Sequence, residues 1–331
     1  MAEHLDGADG PIEFAVIAGG RSNLTYLATG ADGTRWVLRR PPLGNVLATA
    51  HDMAREFSII SAIAPTPVPT PEPLALCEDE SVIGAVFYVM SHVPGVVLDS
   101  QARADQMDVE ARHRASQHLI DVLADLHALD VDEIGLGDLA RRDGYIERQL
   151  KRWSRQWEQS KTRELPAIDE VLRRLSARVP EQQGVVVAHG DYRFGNCLVD
   201  PVAGRVNAVL DWELCTLGDP LADVGYLGVY WTEPGDLPKL HTDPSGLDGF
   251  GSYRDLLERY GARTGRDLTD IGYYVAFSSW RLAVISEGVY ARYLHGAMGD
   301  AVDPSILTSF AEGTETLAEA AMAELRGDGT V

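Results

Sequence analysis

Short apolar runs separated by turn residues fill roughly the first ninety positions, which is the pattern of β-strands. Five strands are predicted, at residues 12–18, 23–29, 35–39, 74–77 and 85–92. A helix is predicted at residues 48–63, because Met53, Phe57, Ile60 and Ile63 recur at helical spacing. Five prolines between residues 65 and 73 predict a rigid extended connector to the fourth strand.

The apolar spacing becomes helical after residue 94. Six helices are predicted, at residues 108–129, 143–160, 167–178, 251–261, 267–295 and 304–326. Asp219 and Pro220 look like the N-cap and first residue of another helix. The pattern therefore predicts an α+β chain with a sheet-rich domain at residues 1–93 and a mostly helical domain at residues 94–331.

Composition narrows the class of protein. The 331 residues are 45% hydrophobic and 24% charged, which is ordinary for a globular chain of two lobes. The net charge of -21 argues against nucleic acid or an anionic membrane as a partner. No apolar run approaches the roughly 20 residues that span a bilayer, and the acidic amino terminus lacks an apolar signal core, so we expect a cytoplasmic protein.

The segment at 185–200, VVVAHGDYRFGNCLVD, carries the strongest chemical signal. An apolar run ends at His189-Gly190-Asp191, and Asn196 follows before the next apolar run. Phosphoryl transfer to a hydroxyl uses an Asp that orients the acceptor and takes its proton, and an Asn whose side-chain oxygen holds a metal. The spacing H-x-D-x-x-x-x-N fits Asp191 and Asn196 to these two tasks.

A third acidic residue completes the pattern. The run at 206–210 is predicted to be a strand, and Asp211 stands at its end, where a second metal ligand is expected. Each motif alone is also typical of an ordinary turn or a solvated strand end. Their occurrence together, in this order across a predicted hairpin, favours the functional interpretation.

At these residues, HGDYRFGN and VLDWE, the chain resembles the aminoglycoside phosphotransferase and choline kinase family, and the resemblance extends over most of residues 12–231. The family consists of small-molecule kinases with a protein-kinase-like fold. The resemblance implies a two-lobed enzyme that binds ATP, with GTP as the open alternative, and Mg²⁺, and that phosphorylates a small-molecule hydroxyl. Asp191 and Arg193 are predicted to be catalytic, and Asn196 and Asp211 to hold the metal.

The resemblance also implies nucleotide contacts in the first domain. The stretch GGRSNLTYL is similar to the family's phosphate-covering loop, which selects Gly20, Ser22 and Asn23. Aligning WVLR with the kinase V-A-I-K strand selects Arg39 as the phosphate clamp, with Glu56 as its helix partner and Arg40 as a solvated neighbour. The predicted hinge completes the set of nucleotide contacts with Met90, Ser91 and Val93.

The acceptor is the least determined part. The run WVLRRPPLGNVLATAHDMAREF is most similar to the family modules related to acyl-CoA dehydrogenases, which implies an acyl or lipid-like hydroxyl more than an antibiotic. Acceptor candidates are the polar residues of the longest helix, Arg281, Glu287, Tyr290 and Arg292. Trp153 and Trp157 are typical of a core, with a substrate-pocket wall as the alternative, and residues 234–249 are expected to form a long rim loop.

Two other functions compete with this interpretation. One is a catalytically weak nucleotide-binding scaffold of the same fold. The other is a hydrolase with His189 as general base, although no G-x-S-x-G nucleophile motif accompanies it. We expect His127 to be a packing or capping residue, and Asp223 to bond the backbone of the catalytic loop and hold it rigid.

Overall fold

The first part of the chain forms one antiparallel sheet. The computed structural model describes residues 5, 8–17, 23–42, 52–233, 244–295, 304–327 and 329. The strands of this sheet are β1 (Ile12–Val16), β2 (Leu24–Gly30), β3 (Arg35–Arg40), β4 (Pro73–Cys77) and β5 (Phe87–Ser91). Their order is β1-β2-β3-β5-β4, and every pairing is antiparallel. The five predicted strands are therefore confirmed, with ends that differ by one or two residues.

Helix α1 (Met53–Ile63) packs against β4 and β5. The Asp52 side chain accepts the Arg55 N–H and begins the helix, which satisfies one of the free donors of its first turn. Its buried face, which includes Ile59, joins the main hydrophobic core. The predicted start of this helix, residues 48–51, lies outside the described residues.

The rest of the chain is mostly helical, and the predicted α+β class is confirmed. Its helices are α2 (Gln101–Ala104), α3 (Val109–His127), α4 (Tyr145–Ser160), α5 (Pro166–Ala177), α6 (Pro220–Tyr230), α7 (Tyr253–Thr264), α8 (Ile271–Leu294) and α9 (Pro304–Glu324). Asp219 caps α6 through the Leu221 N–H, as expected. The long helix α8 packs between α6 and α9. Among the described residues no helix is long and apolar enough to cross a membrane.

Five short strands carry the segments that hold the candidate site. They are β6 (Val96–Val97), β7 (Val186–Ala188), β8 (Cys197–Asp200), β9 (Arg205–Val209) and β10 (Thr216–Gly218). β8 and β9 form the predicted hairpin, while β7 pairs with β10. The sequence did not indicate β6 or β10, because runs of two or three residues carry no periodicity. The loop at 189–196 thus joins β7 to β8, and Asp211 follows β9.

Candidate active site

The loop at 189–196 is held from beneath by one buried carboxylate. Asp223, on the first turn of α6, accepts the His189 N–H at 2.6 Å and the Gly190 N–H at 2.8 Å. Gly190 has a φ of 83°, and a Cβ there would lie 2.8 Å from the Leu214 carbonyl oxygen, so only glycine fits. The backbone contact predicted for Asp223 is present.

His127 connects Asp223 to the helical core. Its ring is buried, with Nε2 at 3.3 Å from Asp223 Oδ2 and Nδ1 at 2.8 Å from the Tyr260 hydroxyl. Burial alone would raise the pKa of Asp223, but the His127 hydrogen bond and charge, with the bonds from the loop backbone, hold that pKa below its ordinary value. Asp223 therefore stays ionised beneath the loop. The sequence indicated packing for His127 but not this link.

His189 is occupied inside the loop. The side chain is buried, Nε2 lies 2.9 Å from the Leu210 carbonyl oxygen, and Nδ1 accepts the Asp191 N–H at 3.2 Å. With both ring nitrogens engaged by backbone groups, His189 has no nitrogen directed at a substrate. This geometry argues against the hydrolase alternative.

Three polar side chains lie beside Asp191. Asn196 Nδ2 donates to the Asp191 carbonyl at 2.8 Å and to its Oδ2 at 2.6 Å. Arg193 Nε lies 3.5 Å from Asp191 Oδ1, and burial, followed by the nearby Asp191 charge, raises the pKa of the Tyr226 hydroxyl. Since its nitrogen is used on Asp191, Asn196 presents its amide oxygen as the remaining group for a cation.

Arg193 lies between Asp191 and an aromatic ring. Its guanidinium carbon is 4.9 Å from the Tyr230 ring centroid, a cation–π distance. Burial would lower the pKa of Arg193, but the Asp191 charge raises it above its ordinary value. A permanent cation thus lies beside the candidate base. The sequence missed Tyr226 and Tyr230, although their spacing of four on a helix that follows D-P-x-x-D was a usable signal.

Across the cleft, Arg39 joins the sheet to Asp211. Its Nε lies 3.2 Å from Glu56 Oε2, so the predicted ion pair is present. Its Nη2 donates to Asp211 Oδ1 at 2.5 Å and lies 3.8 Å from Glu213 Oε2. Glu56 is 2% exposed, and burial raises its pKa against the opposing effect of Arg39. One guanidinium therefore bridges carboxylates of α1 and of the segment after β9.

The expectation for Arg40 was wrong. This residue is only 9% exposed, and its guanidinium donates to the carbonyls of Pro41 at 3.1 Å and Ile83 at 3.3 Å. Successive residues of a strand face opposite sides of a sheet, so Arg40 points away from Arg39. On that side it is covered by the chain segment that contains Ile83.

The segment after β9 is anchored to the sheet side by further bonds. Asn23 is buried and its amide nitrogen donates to Glu213 Oε2 at 3.0 Å. Arg55 of α1 donates to the Glu213 carbonyl at 3.4 Å and the Cys215 carbonyl at 2.5 Å. Asp211 has a φ of 65°, the sole positive value at a non-glycine residue in the described part of the chain. Gly20 and Ser22 lie outside the described residues.

The predicted hinge residues lie at the end of β5, with Met90 and Ser91 in the strand and Val93 after it. Met90 is buried and pairs with Val37 of β3, on the same sheet face as Arg39. The Ser91 N–H donates to the Glu72 carbonyl at 2.8 Å, and the Ser91 hydroxyl accepts the Glu72 N–H at 2.8 Å. Ser91 is thus tied to the connector by two bonds, and partly buried Val93 follows two residues later.

A divalent cation would find few ligands here from the protein alone. Within the described ranges no group of three His, Cys, Asp or Glu residues is arranged to hold a metal ion. Mg²⁺ is often held by one or two protein oxygens together with phosphate oxygens and waters. The Asn196 amide oxygen and the Asp211 carboxylate, joined through the bond from the Leu210 N–H to the Asn196 carbonyl at 2.8 Å, fit that kind of site.

Several residues selected from the sequence belong to the interior instead. Arg281 and Glu287 were acceptor candidates, but both are buried, because α8 is enclosed by its neighbours. Glu287 accepts the Thr162 N–H at 3.1 Å and the Thr162 hydroxyl at 2.7 Å. The Trp157 indole N–H donates to Asp169 at 2.9 Å, so this buried tryptophan packs in the core.

Comparison with known proteins agrees with this arrangement. Residues 13–269 match the model of the phosphotransferase enzyme family. The chain belongs to this family. It is 35% identical over 297 residues to mouse acyl-CoA dehydrogenase family member 10 and 36% identical over 296 residues to chicken acyl-CoA dehydrogenase family member 11. These matches cover 88% and 87% of this chain but only 28% and 38% of those proteins, so the chain spans about a third of their length.

Comparison with solved structures identifies the fold. A Ralstonia eutropha protein, solved as a candidate aminoglycoside phosphotransferase, is 34% identical and superposes with a TM-score of 0.84, over 99% of this chain and 96% of that one. A variant of aminoglycoside phosphotransferase APH(4)-Ia, solved with ADP and hygromycin B, is 14% identical with a TM-score of 0.61, over 93% and 94% of the chains. The predicted two-lobed, kinase-like fold is confirmed, and phosphotransfer to small molecules is the general activity that this family supports.

Proposed function

We propose that this chain transfers the γ-phosphoryl group of ATP to a hydroxyl of a small molecule, with Mg²⁺ as cofactor. The observation that carries the proposal is the meeting of three residues selected from the sequence. Asn196 donates to Asp191 at 2.6 Å, and its backbone is bonded to the residue that precedes Asp211. A base candidate and two metal-ligand candidates therefore share one wall of the cleft beneath Arg39.

In this proposal Asp191 orients the acceptor hydroxyl and takes its proton. Arg193 lies beside it and contributes positive charge where phosphoryl oxygens would approach. Asn196 and Asp211 would hold Mg²⁺, which supplies charge neutralisation on the phosphate oxygens. Asp211 would have to give up its bond to Arg39 at least in part, so Arg39 would turn toward the phosphates that arrive with the metal.

The nucleotide contacts follow from the sheet side. Arg39, held by Glu56, would clamp the phosphates, and the loop that contains Gly20 and Ser22 would cover them. Because the Asn23 side chain donates to Glu213, a phosphate contact from Asn23 would come from its backbone. Met90 would line the base pocket beside Ser91 and Val93. The Ser91 N–H is bonded to the Glu72 carbonyl. Ser91 would therefore contact the adenine ring through its backbone carbonyl oxygen.

For the acceptor we propose a hydroxyl on an acyl or lipid-like molecule. The relatives at 35% and 36% identity carry the name of acyl-CoA dehydrogenase family members, which supports a substrate from acyl metabolism over an antibiotic. A non-catalytic nucleotide-binding scaffold of the same fold is the alternative. The complete set of Asp191, Asn196 and Asp211 favours the enzyme.

The test is a coupled nucleotide-turnover assay on purified protein, with ATP or GTP, Mg²⁺ and a panel of hydroxylated metabolites. The panel should include hydroxyacyl thioesters, amino alcohols and aminoglycosides. We expect stimulation of ATP turnover by an acyl hydroxyl compound and formation of its phosphate ester, identified by mass spectrometry. Tight Mg–ATP binding with no turnover above that of Asp191→Asn for any compound would favour the scaffold.

A further inference from the structure

One arginine of helix α1 lies where its own helix does not favour a cation. Arg55 is in the first turn of α1, and its backbone N–H donates to the side chain of the N-cap residue Asp52 at 2.9 Å. The first turn of a helix is the positive end of its dipole, so a guanidinium is less favourable there than a carboxylate. Helix stability therefore does not account for Arg55, and the account lies in what its side chain contacts.

The Arg55 side chain reaches the segment that carries Asp211. Its Nη1 donates to the Glu213 carbonyl at 3.4 Å and its Nη2 to the Cys215 carbonyl at 2.5 Å. These carbonyls lie in and just after a single turn of 3₁₀-helix, Trp212–Leu214, which directly follows Asp211. Carbonyls at the end of a helical turn have no partner within it, so Arg55 supplies bonds that the turn itself does not make.

The backbone at Asp211 depends on such support. Its φ of 65° is uncommon for a residue with a side chain, and a conformation of this kind persists when the surrounding structure fixes it. Before Asp211, the Leu210 N–H donates to the Asn196 carbonyl at 2.8 Å. After it, the side chain of Trp212 is buried. The bonds from Arg55 fix the same turn at its far end.

Helix α1 also orients the cation that faces the Asp211 carboxylate. Glu56, the residue after Arg55, lies 3.2 Å from Arg39 Nε, and Arg39 Nη2 donates to Asp211 Oδ1 at 2.5 Å. One helical turn thus holds both the backbone that follows Asp211 and the guanidinium opposite its side chain. A metal–nucleotide complex would engage the two together, Asp211 through the metal and Arg39 through the phosphates.

We propose that Arg55 is a positioning residue that couples Mg²⁺ binding to ATP binding, because it holds the turn after Asp211 against the helix that orients Arg39. The inference rests on the proposed metal role of Asp211. While the turn is held, the Asp211 carboxylate keeps the direction in which it meets a cation that arrives with phosphates on Arg39. Without the Arg55 guanidinium the turn loses two bonds, while the pair of Arg39 and Glu56 remains.

The test is calorimetry of ATP binding with and without Mg²⁺, in the parent and in Arg55→Met. Methionine keeps an unbranched side chain and removes the donors. The gain in ATP affinity that Mg²⁺ produces should fall by about 10-fold or more, as when residues that orient metal ligands are removed. The metal-free affinity should change by less than about twofold, because Arg39 and Glu56 are retained. An undiminished gain from Mg²⁺ would overturn the proposal.

The matched control is Arg114→Met. Arg114 of α3 also donates to two backbone carbonyls of one turn, those of Ala203 at 2.8 Å and Val202 at 3.0 Å. That turn joins β8 to β9 at the end of the hairpin remote from Asp211. The variant should keep the parental gain from Mg²⁺. An equal fall in Arg114→Met would attribute the effect to the stability of the hairpin and overturn the positioning role.

Arg55→Lys tests the donated bonds by rescue. Lysine keeps a charged donor for one carbonyl but lacks the fork that reaches both, so the gain from Mg²⁺ should lie between those of the parent and Arg55→Met. Equal gains in the lysine and methionine variants would remove the role of the donated bonds. If Arg55→Met does not fold, Arg55→Lys carries the measurement, and a parental gain in it overturns the proposal.

Failure of the proposed function has a separate signature. A parent whose ATP affinity does not respond to Mg²⁺ would contradict the metal role of Asp211 rather than the support of its turn. Crystal structures of the parent and Arg55→Met then decide the positioning role. A displaced turn with a redirected Asp211 carboxylate supports it, and an unchanged turn overturns it.

Discussion

The two candidate carboxylates of this cleft are held in opposite ways. Asp191 extends from a loop whose backbone is fixed by buried groups of α6 and α8, Asp223 and Arg281. Asp211 itself has a positive φ, and its carboxylate is bonded across the cleft to Arg39, a residue of the sheet. The Asp191 loop is therefore held by residues of the helical part of the chain, whereas the Asp211 carboxylate is held by a side chain of the amino-terminal sheet.

This difference separates a fixed part of the site from an exchangeable part. Backbone bonds to a buried carboxylate cannot be replaced by a ligand, so the direction of Asp191 is set before any substrate arrives. An ion pair at the cleft surface can be replaced, because a metal–nucleotide complex offers Asp211 a cation and Arg39 an anion. Changes on the Asp211 side should therefore alter binding, and changes beneath Asp191 should alter turnover and stability.

The largest effect is expected from Asp211→Gly, which removes the carboxylate and suits the φ of 65°. We expect loss of the magnesium dependence of ATP binding, measured by calorimetry with and without Mg²⁺. The control is Glu213→Gln, which keeps an acceptor for Asn23 and should retain that dependence. The opposite result, dependence lost in Glu213→Gln and kept in Asp211→Gly, would move the metal to Glu213.

Asp191→Asn should act on turnover alone. It keeps the size of the side chain and removes its ability to take a proton, which typically costs about 10²–10⁴-fold in rate. Nucleotide affinity should be nearly unchanged, because the effect exists only on the way to the transition state. Steady-state turnover and ATP calorimetry on one preparation check both statements. Turnover at the parental rate would make Asp191 structural.

Arg39→Ala should weaken ATP binding by removing a charge-assisted clamp worth about 1.5–3 kcal/mol, or roughly 10–150-fold in Kd. Arg40→Ala is the matched control, since the Arg40 guanidinium donates to the Pro41 and Ile83 carbonyls and lies on the opposite face of the sheet from Arg39. It should lower stability and leave ATP affinity unchanged. Equal losses of affinity in the two variants would indicate a general effect on the sheet.

Asp223→Asn should destabilise the fold by about 1–3 kcal/mol, because an amide satisfies the two loop N–H groups less well than a carboxylate. The pKa of Asp223 is lowered on folding, so its contribution is present above the ordinary carboxyl pKa of about 4 and is lost as pH falls through the folded value. Urea unfolding at pH 7 and at acid pH measures this contribution.

Asp32→Asn is the control for that measurement. Asp32 also accepts two bonds, from the Thr34 N–H at 2.9 Å and the Thr34 hydroxyl at 2.8 Å, but on an exposed turn. It should have little effect at either pH. If Asp223→Asn were equally silent, the loop would not depend on the buried carboxylate, and the contrast between the two halves of the site would fail.

The sequence alone determined the elements and the chemistry that depend on local order. Five strands, the long helices and the D-P cap of α6 follow from periodicity and turn residues, which are local properties of the chain. The spacing of Asp191, Asn196 and Asp211 indicated phosphotransfer because strand–loop–strand geometry brings such residues together. The ion pair between Arg39 and Glu56 was predicted from the resemblance of WVLR to the kinase strand that carries the phosphate-binding cation, and it is present at 3.2 Å.

Only the tertiary structure decided which side chains meet over long separations. Arg281 was expected near the acceptor and instead supports Gly190, 91 residues earlier in the chain. Arg40 was expected in solvent and is buried, and His127 reaches Asp223 across 96 residues. Periodicity reports which face of an element is apolar, but the polar residues that such a face encloses depend on which helices pack against it. The partners of a buried charge are therefore set by the packing of the whole chain.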